Sequence, residues 1–442
     1  MRKYFTDMIL ILITLSAANY YALSVWIGFP FSTAVFLLLA AFFTVGNLQL
    51  PPQRALSKRL EYLESGSRLL RIFLFAAGLE IVFTGFFFGS APHMRAGIVL
   101  THIFIVLLFD GLLLWNGMFR VFLCSAQLGI KWRVLGVLCG WIPVLNLWIL
   151  GRIIKITSQE ASFEKEKLRF LTVQTENELC KTKYPLLLVH GVFFRDSKLL
   201  NYWGRIPACL RRNGAEIYYG EHGSAASVET SGAELAGRIR EITEQTGCGK
   251  VNLIAHSKGG LDCRAAIARA GAAPLVASLT TISTPHRGCL FADYLLKNIP
   301  PKVQRFLARK YNKAAKRLGD TDPDFLEAVG SLTAAACAQF NRQTPDAPEV
   351  SYRSAGSGMR RPKGGKFPLN LTHRFVRQFD GQNDGLVAVD SMKWGERFTC
   401  AGGEGCNVSH ADVIDLTRKN IDGFDVREFY VSLVQDLKAR GF

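Results

Sequence analysis

The stretch from Val251 to Asp262 reads V-N-L-I-A-H-S-K-G-G-L-D and places a serine between a strand-like run and a pair of glycines. A serine at a tight strand-to-helix turn can act as a nucleophile, because the turn exposes its hydroxyl and directs the following N–H groups at a substrate. Ala255 stands where the usual G-x-S-x-G motif has its first glycine, and it adds only a methyl group. Taken alone, the string leaves Ser257 either a nucleophile or a surface serine at a strand end.

A serine nucleophile requires a base, and the base requires an acid that orients it. Among the eight histidines, His410 in N-V-S-H-A-D lies downstream of Asp384 in Q-N-D-G-L-V. These two residues complete the chain order serine, acid, histidine that one large class of serine hydrolases uses. Asp380 and Asp390 compete for the place of the acid, but neither lies in so tight a turn.

The elements that must position these residues alternate along the second half of the chain. Short apolar runs, typical of strands buried on both faces, alternate with helical patterns. Strands are predicted near 185–189, 214–219, 251–255 and 275–282, and helices near 206–212, 228–246 and 260–270. This alternation predicts a mostly parallel sheet with helices on both faces, and it places Ser257 between a strand and a helix.

Ordered motifs from about Tyr184 to Leu416 carry a resemblance to a known family. They read Y-P-L-L-L-V-H-G-V-F-F, K-V-N-L-I-A-H-S-K-G-G, I-S-T-P-H-R-G, S-L-T-A-A-A-C-A-Q-F-N-R-Q-T-P, Q-N-D-G-L-V and S-H-A-D. This half of the protein resembles the bacterial triacylglycerol lipases of the pseudomonad type, which are α/β-hydrolases. The resemblance covers roughly half of the chain and implies a C-terminal α/β-hydrolase fold.

The resemblance also implies roles for single residues. Ser257 would be the nucleophile, His410 the base and Asp384 the acid that orients it. The oxyanion hole would consist of the backbone N–H groups of Val192 and Lys258, in a loop supported by His190 and Gly191.

Such lipases need no organic cofactor, but they often hold a structural calcium near the catalytic histidine. Asp412 matches one ligand position, without an acidic partner upstream, so the sequence predicts no metal site beyond this single calcium candidate.

Residues 1–155 predict an all-α transmembrane domain of four to five helices. Apolar segments lie near 8–27, 31–48, 69–89, 97–119 and 134–150, and a spanning helix needs about 20 mostly apolar residues. The last segment is interrupted by Pro143 and Asn146 and is therefore spanning, re-entrant or interfacial. We expect the carboxylates of Glu80 and Asp110 to form interhelical hydrogen bonds or to lie near helix ends.

A linker is predicted over 156–183, and the hydrolase domain over 184–442 with a lid around 290–330. Within the lid, Lys302 to Leu318 reads K-V-Q-R-F-L-A-R-K-Y-N-K-A-A-K-R-L, with seven basic residues, no acid and apolar residues at helical spacing. A basic amphipathic helix suits adsorption at an anionic lipid surface, although an ordinary surface helix packed on the sheet fits the same pattern.

The net charge of +17 suits an anionic membrane surface, and no motif supports nucleic acid as a partner. The ten cysteines contain no C-x-x-C pair, which argues against a zinc site. We expect an integral protein of the bacterial cytoplasmic membrane. The positively charged loops leave open on which side the hydrolase domain lies.

The sequence therefore predicts a membrane-anchored serine lipase or esterase that hydrolyses carboxylic esters of lipids. Two alternatives use the same triad: a phospholipase, and an acyltransferase in which a lipid or sugar hydroxyl replaces water. An alternative from another class is a catalytically inert membrane scaffold with a hydrolase fold.

Overall fold

A computed structural model describes residues 2–53, 55, 57–90, 95–140, 142, 144–174, 178–192, 202–223, 225–317, 320, 323–403 and 407–442. The chain divides into two compact units, 1–170 and 171–442. The first is helical, and the second is built on a sheet.

The helical unit contains α1 Arg2–Ile27, α2 Thr33–Leu48, α3 Lys58–Ser90, α4 Ala96–Cys124, α5 Gly129–Leu138 and α6 Leu145–Gln174. Among the described residues, three helical stretches are long and apolar enough to cross a membrane: Phe5–Ile27, Lys58–Ser90 and Ala96–Cys124. The second apolar segment forms the shorter α2, and the fifth is divided between α5 and α6, with residues 141 and 143 outside the described part. Helix α6 continues through most of the segment for which the sequence predicts a linker.

Close helix packing and a buried carboxylate organise the helical unit. Helices α3 and α4 approach closely at two glycines: a Cβ on Gly66 would lie 2.7 Å from that of Arg120, and one on Gly117 would lie 2.8 Å from Leu70. Small residues permit such an approach between apolar helices. Glu80 of α3 accepts hydrogen bonds from Asn19 of α1 at 2.8 Å, which is an interhelical contact of the predicted kind.

The described part of the second unit contains a sheet of six parallel strands in the order β2-β1-β3-β4-β5-β6. The strands are β1 Leu186–Val189, β2 Ile217–Tyr219, β3 Val251–His256, β4 Val276–Ile282, β5 Ser351–Gly356 and β6 Phe398–Cys400. The helices are α7 Ile206–Arg212, α8 Val228–Thr246, α9 Lys258–Arg269, α10 Leu290–Asn298, α11 Pro301–Arg317, α12 Phe325–Gly330, α13 Ala334–Gln343, α14 Leu369–Asp380, α15 Val389–Met392 and α16 Val426–Ala439.

Both faces of the sheet are covered, as the continuous apolar runs predict. Successive side chains of a strand point to opposite faces. Leu186 and Leu188 accordingly pack with residues of α7 and α16, whereas Leu187 and Val189 pack with residues of α8 and α9. The central strands β3 and β4 are buried throughout, which makes them a rigid base for the residues at their carboxyl ends.

The predicted lid region contains α10, α11 and α12. Helix α11 covers Pro301–Arg317, close to the predicted Lys302 to Leu318, and residue 318 lies outside the described part. Its small residues Ala308 and Ala315 are buried, whereas Val303, Phe306 and Leu307 are exposed. The exposed surface of α11 is therefore both basic and apolar.

Candidate active site

Ser257 occupies the turn between β3 and α9. Its backbone has φ 54° and ψ −130°, a conformation that a residue with a side chain rarely adopts and that functional sites often retain. The space behind the turn is too small for larger neighbours. A Cβ on Gly259 would lie 2.3 Å from the carbonyl oxygen of His190, and one on Gly260 would lie 2.2 Å from Oγ1 of Thr284. The two glycines thus allow the turn that presents the Ser257 hydroxyl.

His410 and Asp384 form a buried pair at the carboxyl ends of the strands. Nδ1 of His410 lies 2.7 Å from Oδ2 of Asp384, and the backbone N–H of His410 donates to the carbonyl oxygen of Asp384 at 2.9 Å. The other carboxylate oxygen, Oδ1, accepts hydrogen bonds from the N–H groups of Leu386 and Val387 at 3.1 and 2.9 Å. These bonds fix the carboxylate so that one oxygen faces the imidazole.

The ring of His410 lies beside the strand that ends in Ser257. Its centroid is 4.5 Å from that of His256, the residue immediately before Ser257. Within the described part of the chain, no hydrogen bond joins the Ser257 hydroxyl to His410. Catalytic hydrogen bonds are often long before substrate binds, so this geometry is compatible with a base that engages the serine in the substrate complex.

The two competing acids have other partners. Asp380 accepts hydrogen bonds from the N–H groups of Leu290 and Phe291 at 3.2 Å and thereby caps the start of α10. Asp390 is exposed and pairs with Lys393 at 2.6 Å. Of the three candidate acids, Asp384 is the one whose carboxylate is hydrogen-bonded to His410.

The predicted oxyanion loop packs directly against the serine. A Cβ on Gly191 would lie 2.8 Å from Cβ of Ser257, and Val192 is buried beside it. Within the described residues, the backbone N–H groups of Val192 and Lys258 donate no hydrogen bond. Both groups are therefore available to a ligand, as an oxyanion hole requires.

Tyr202 is a member of the site that the sequence reasoning did not identify. Its hydroxyl accepts a hydrogen bond from the N–H of Gly191 at 3.0 Å and lies 2.6 Å from Nδ1 of His256. The contact links the oxyanion loop to the strand that ends in Ser257. Spacing along the chain gives no signal for it, because eleven positions separate Gly191 from Tyr202.

A buried polar network supports the loop from the other side. The Lys258 ammonium donates to Asp262 at 2.7 Å and to Ser231 at 3.0 Å, and the His190 ring stacks on that of His222 at 4.1 Å. Burial, and then the neighbouring His222, lowers the pKa of His190 to about 3. His190 is therefore neutral near pH 7, which suits a supporting residue.

The calcium candidate does not fit a metal site. Oδ2 of Asp412 accepts a hydrogen bond from the Ser409 hydroxyl at 2.6 Å, and Oδ1 accepts one from Thr417 at 3.1 Å. Among the described residues, no group of three or more His, Cys, Asp or Glu side chains could hold a metal ion. Asp412 acts here as a hydrogen-bond acceptor that shapes the loop after His410.

Comparisons with known proteins find lipases. The chain is 36% identical over 178 residues to a triacylglycerol lipase of Pseudarthrobacter phenanthrenivorans, an alignment that covers 38% of this chain and 55% of that protein. It is 30% identical over 262 residues to triacylglycerol lipase 2 of Saccharomyces cerevisiae, covering 55% of this chain and 75% of that protein. No family model matches the chain.

Solved structures of lipases also resemble the chain. A Staphylococcus hyicus lipase is 18% identical with a TM-score of 0.47, covering 59% of this chain and 97% of that one. The mature Bacillus licheniformis lipase BlEst2 is 23% identical with a TM-score of 0.43, covering 57% and 92%. The chain spans about half the length of the first bacterial relatives it matches, 55% and 49%.

Proposed function

Because the chain belongs to the triacylglycerol lipase family, we propose that it hydrolyses carboxylic esters of lipids, with Ser257 as nucleophile, His410 as base and Asp384 as the acid that orients the base. The observation that carries this proposal is the buried His410–Asp384 pair, whose Nδ1–Oδ2 distance is 2.7 Å, beside the strained turn at Ser257. An inert scaffold would have no reason to retain both the pair and the strain.

The reaction follows from the roles of these groups. Ser257 Oγ attacks the ester carbonyl carbon while His410 accepts its proton, and the N–H groups of Val192 and Lys258 stabilise the oxyanion. His410 then returns the proton to the leaving alcohol, and an acyl-enzyme remains. Water activated by His410 releases the fatty acid, whereas transfer to another hydroxyl would give the acyltransferase alternative.

We further propose that the helical unit anchors the protein in a bilayer. Its three long apolar helices carry many large apolar side chains on exposed surfaces, Phe75, Ile81 and Leu107 among them. Such surfaces are stable in lipid and costly in water. Transmembrane topology can be measured by protease access in intact cells and inverted vesicles.

We propose anionic lipid as the surface that α11 contacts. Lys302, Arg305 and Arg309 line an open cavity of about 490 Å³ along this helix. None of the ion pairs formed by described residues involves these three side chains. Asp324 is the one acid among the residues that line the cavity, so three basic side chains leave the lining positively charged. Phosphate groups of lipids would neutralise this charge, and this favours a phospholipase activity as the second candidate.

Labelling with a fluorophosphonate probe tests the nucleophile, because the probe reacts covalently with an activated serine. We expect the wild type to be labelled and Ser257→Ala to be unlabelled. Ser283→Ala is the matched control, since Ser283 also follows a central strand directly and has a positive φ of 48°. Equal labelling of the wild type and Ser257→Ala would refute the proposal.

A pair of aspartate variants tests the acid by steady-state kinetics on a soluble ester. Asp384→Asn should reduce kcat by about 10⁴-fold, as loss of the orienting carboxylate does in serine hydrolases. Asp380→Asn should leave kcat nearly unchanged, because an amide oxygen can still accept from the N–H groups at the start of α10. Hydrolysis of triglyceride, phosphatidylglycerol and short nitrophenyl esters then identifies the substrate class.

A further inference from the structure

The exposed apolar residues of the second unit are concentrated on three helices. Of the residues described in 171–442, every large apolar side chain that is exposed lies on α10, α11 or α14, or is Phe367, two residues before α14. On α14 these are Leu371, Phe375 and Phe379, of which Phe375 is 54% exposed. Such a concentration of exposed apolar side chains, among the residues that the structure describes, is typical of a surface that binds a partner.

Helices α10 and α14 form one aromatic platform. Phe291 of α10 stacks on Phe375 of α14 with ring centroids 6.2 Å apart, and Tyr294 lies 4.8 Å from Phe379. Asp380, at the end of α14, caps the start of α10 through two backbone N–H groups. The two helices therefore hold each other in place, and their outward rings form a continuous apolar surface.

Helix α11 continues from this platform. The Gln304 side chain donates to the carbonyl oxygens of Leu296 and Ile299 at 2.7 Å, which fixes the start of α11 to the end of α10. The exposed Val303, Phe306 and Leu307 of α11 therefore belong to the same helical assembly as the aromatic platform.

Positive charge surrounds the platform, and its acids are already engaged. Arg374 and Arg377 of α14 and Lys297 of α10 are exposed. Asp293 accepts a hydrogen bond from the N–H of Ala334 at 2.8 Å, and Asp380 is the cap already described. Exposed apolar rings bordered by cations match the boundary between the headgroups and acyl chains of an anionic bilayer.

The platform is also joined to the loop that carries Asp384. The Thr372 hydroxyl of α14 donates to the carbonyl oxygen of Gly385 at 2.6 Å, and the Asn383 amide donates to the carbonyl oxygen of His373 at 3.3 Å. A surface on α14 is thus held in fixed relation to the candidate catalytic acid. This arrangement lets contact with a bilayer orient the site toward the lipid.

We infer that α10 and α14 form a membrane-docking surface, in which Leu371, Phe375 and their neighbours insert into an anionic bilayer and Arg374 and Arg377 bind its headgroups. The inference rests on the proposed activity on lipid esters and adds the partner surface. The surface thus includes α14, which lies outside the predicted lid region, as well as α10, which lies within it.

Photocrosslinking tests docking without requiring catalysis. The full-length Ser257→Ala protein is reconstituted in vesicles of phosphatidylcholine and phosphatidylglycerol that contain a phosphatidylglycerol with a photoreactive acyl chain. We expect adducts on peptides from 290–298 and 367–380, with adducts on the helical unit as the internal positive control. Adducts confined to 1–170 would overturn the inference, whether or not the wild type hydrolyses lipid.

Kinetics with matched variants provide the second test. The double variant Leu371→Ser, Phe375→Ser should lose about tenfold or more in kcat/KM on lipid in phosphatidylglycerol vesicles, because it removes apolar area that docking would bury. Its rate on a short soluble ester should stay unchanged, which also reports correct folding. The control double variant Leu371→Met, Phe375→Leu keeps apolar side chains at both positions and should retain the activity on vesicles.

The charges require a separate comparison. The double variant Arg374→Gln, Arg377→Gln should weaken activity on phosphatidylglycerol vesicles and make this activity less sensitive to salt. The control double variant Arg211→Gln, Arg212→Gln on α7 should change neither the activity nor its salt dependence. Equal loss on the soluble ester in the α14 variants would indicate damage to the Asp384 loop and overturn docking as their explanation. Equal activity of all variants on vesicles would overturn it as well.

Discussion

The Tyr202 hydroxyl occupies a junction between two parts of the candidate site. It accepts from the N–H of Gly191 and contacts Nδ1 of His256, whose ring in turn packs against that of His410. The Tyr202 hydroxyl joins the oxyanion loop to the strand that ends in Ser257, so its expected role is to position this loop relative to Ser257. A small displacement of preorganised donors is costly in catalysis.

We predict that Tyr202→Phe lowers kcat by about 10- to 100-fold with a smaller change in KM, because a buried N–H and a ring nitrogen lose their partner at about 1–3 kcal/mol. Steady-state kinetics on a soluble ester measures both constants. Tyr352→Phe is the matched control, since the Tyr352 hydroxyl also accepts from a backbone N–H, that of Ala347, at 3.1 Å. Equal loss of kcat in both variants would show a general effect of stability and contradict the positioning role.

At the scale of elements, the central strands illustrate what the sequence predicts well. The apolar runs near 251–255 and 275–282 predict buried strands, and the structure has β3 Val251–His256 and β4 Val276–Ile282. Strands covered on both faces consist mainly of apolar residues, so their pattern is distinctive. The parallel sheet with helices on both faces is confirmed, and it brings Ser257, Asp384 and His410 to its carboxyl edge.

Helix α14 illustrates what the sequence could not predict. Its residues L-N-L-T-H-R-F-V-R-Q-F-D place apolar side chains on more than one face. Leu369 and Val376 are buried, whereas Leu371 and Phe375 are exposed, and periodicity alone cannot decide which face meets the core. Contacts set by tertiary packing, such as that of Tyr202 with Gly191, leave no local pattern either.

The elbow between β3 and α9 makes a prediction at this same scale. Gly259→Ala should destabilise the second unit by about 1–3 kcal/mol and abolish fluorophosphonate labelling, because the new Cβ would collide with the carbonyl oxygen of His190 at 2.3 Å. Gly237→Ala is the control, since this glycine lies on the exposed face of α8 with no atom within 4 Å of the added Cβ. It should stabilise α8 by up to about 1 kcal/mol and retain labelling. Thermal unfolding measured beside labelling separates the two cases, and full labelling of Gly259→Ala would contradict the steric account.

At the scale of the whole molecule, apolar and basic residues recur where lipid contact is proposed. The chain is 49% hydrophobic with a net charge of +17. Among the described residues of the second unit, the large apolar side chains that are exposed nevertheless lie on α10, α11 and α14 or at Phe367 beside α14. The distribution reconciles the proposed water-insoluble substrate with a fold that is stable in water.

Buried titratable groups determine how the second unit responds to acid. Burial lowers the pKa of His190 to about 3 and lowers the pKa of His256 and of His286 well below the usual value. In the unfolded chain these imidazoles titrate near pH 6.5, so below that pH unfolding takes up a proton at each. Asp262 acts in the opposite sense, because burial raises the pKa of its carboxyl to about 6 and unfolding then releases a proton between about pH 4 and pH 6.

On unfolding near pH 5, the three histidines take up about three protons and Asp262 releases about one, so the net uptake is about two. The free energy of unfolding should therefore fall by about 3 kcal/mol for each unit by which the pH decreases there. Above about pH 7.5 these groups contribute almost no slope, since the histidines are then neutral in both states. Urea unfolding of the full-length protein in detergent, followed by a signal from the second unit at pH 7, 6 and 5, measures this dependence.

The variant His286→Gln should reduce this slope by about 1.4 kcal/mol per pH unit, because it removes one of the protons taken up on unfolding. The new amide can still form a hydrogen bond with Thr281, whose Oγ1 lies 2.9 Å from Nε2 of His286. An unchanged slope in this variant would show that His286 is protonated in the folded state and would contradict the burial argument.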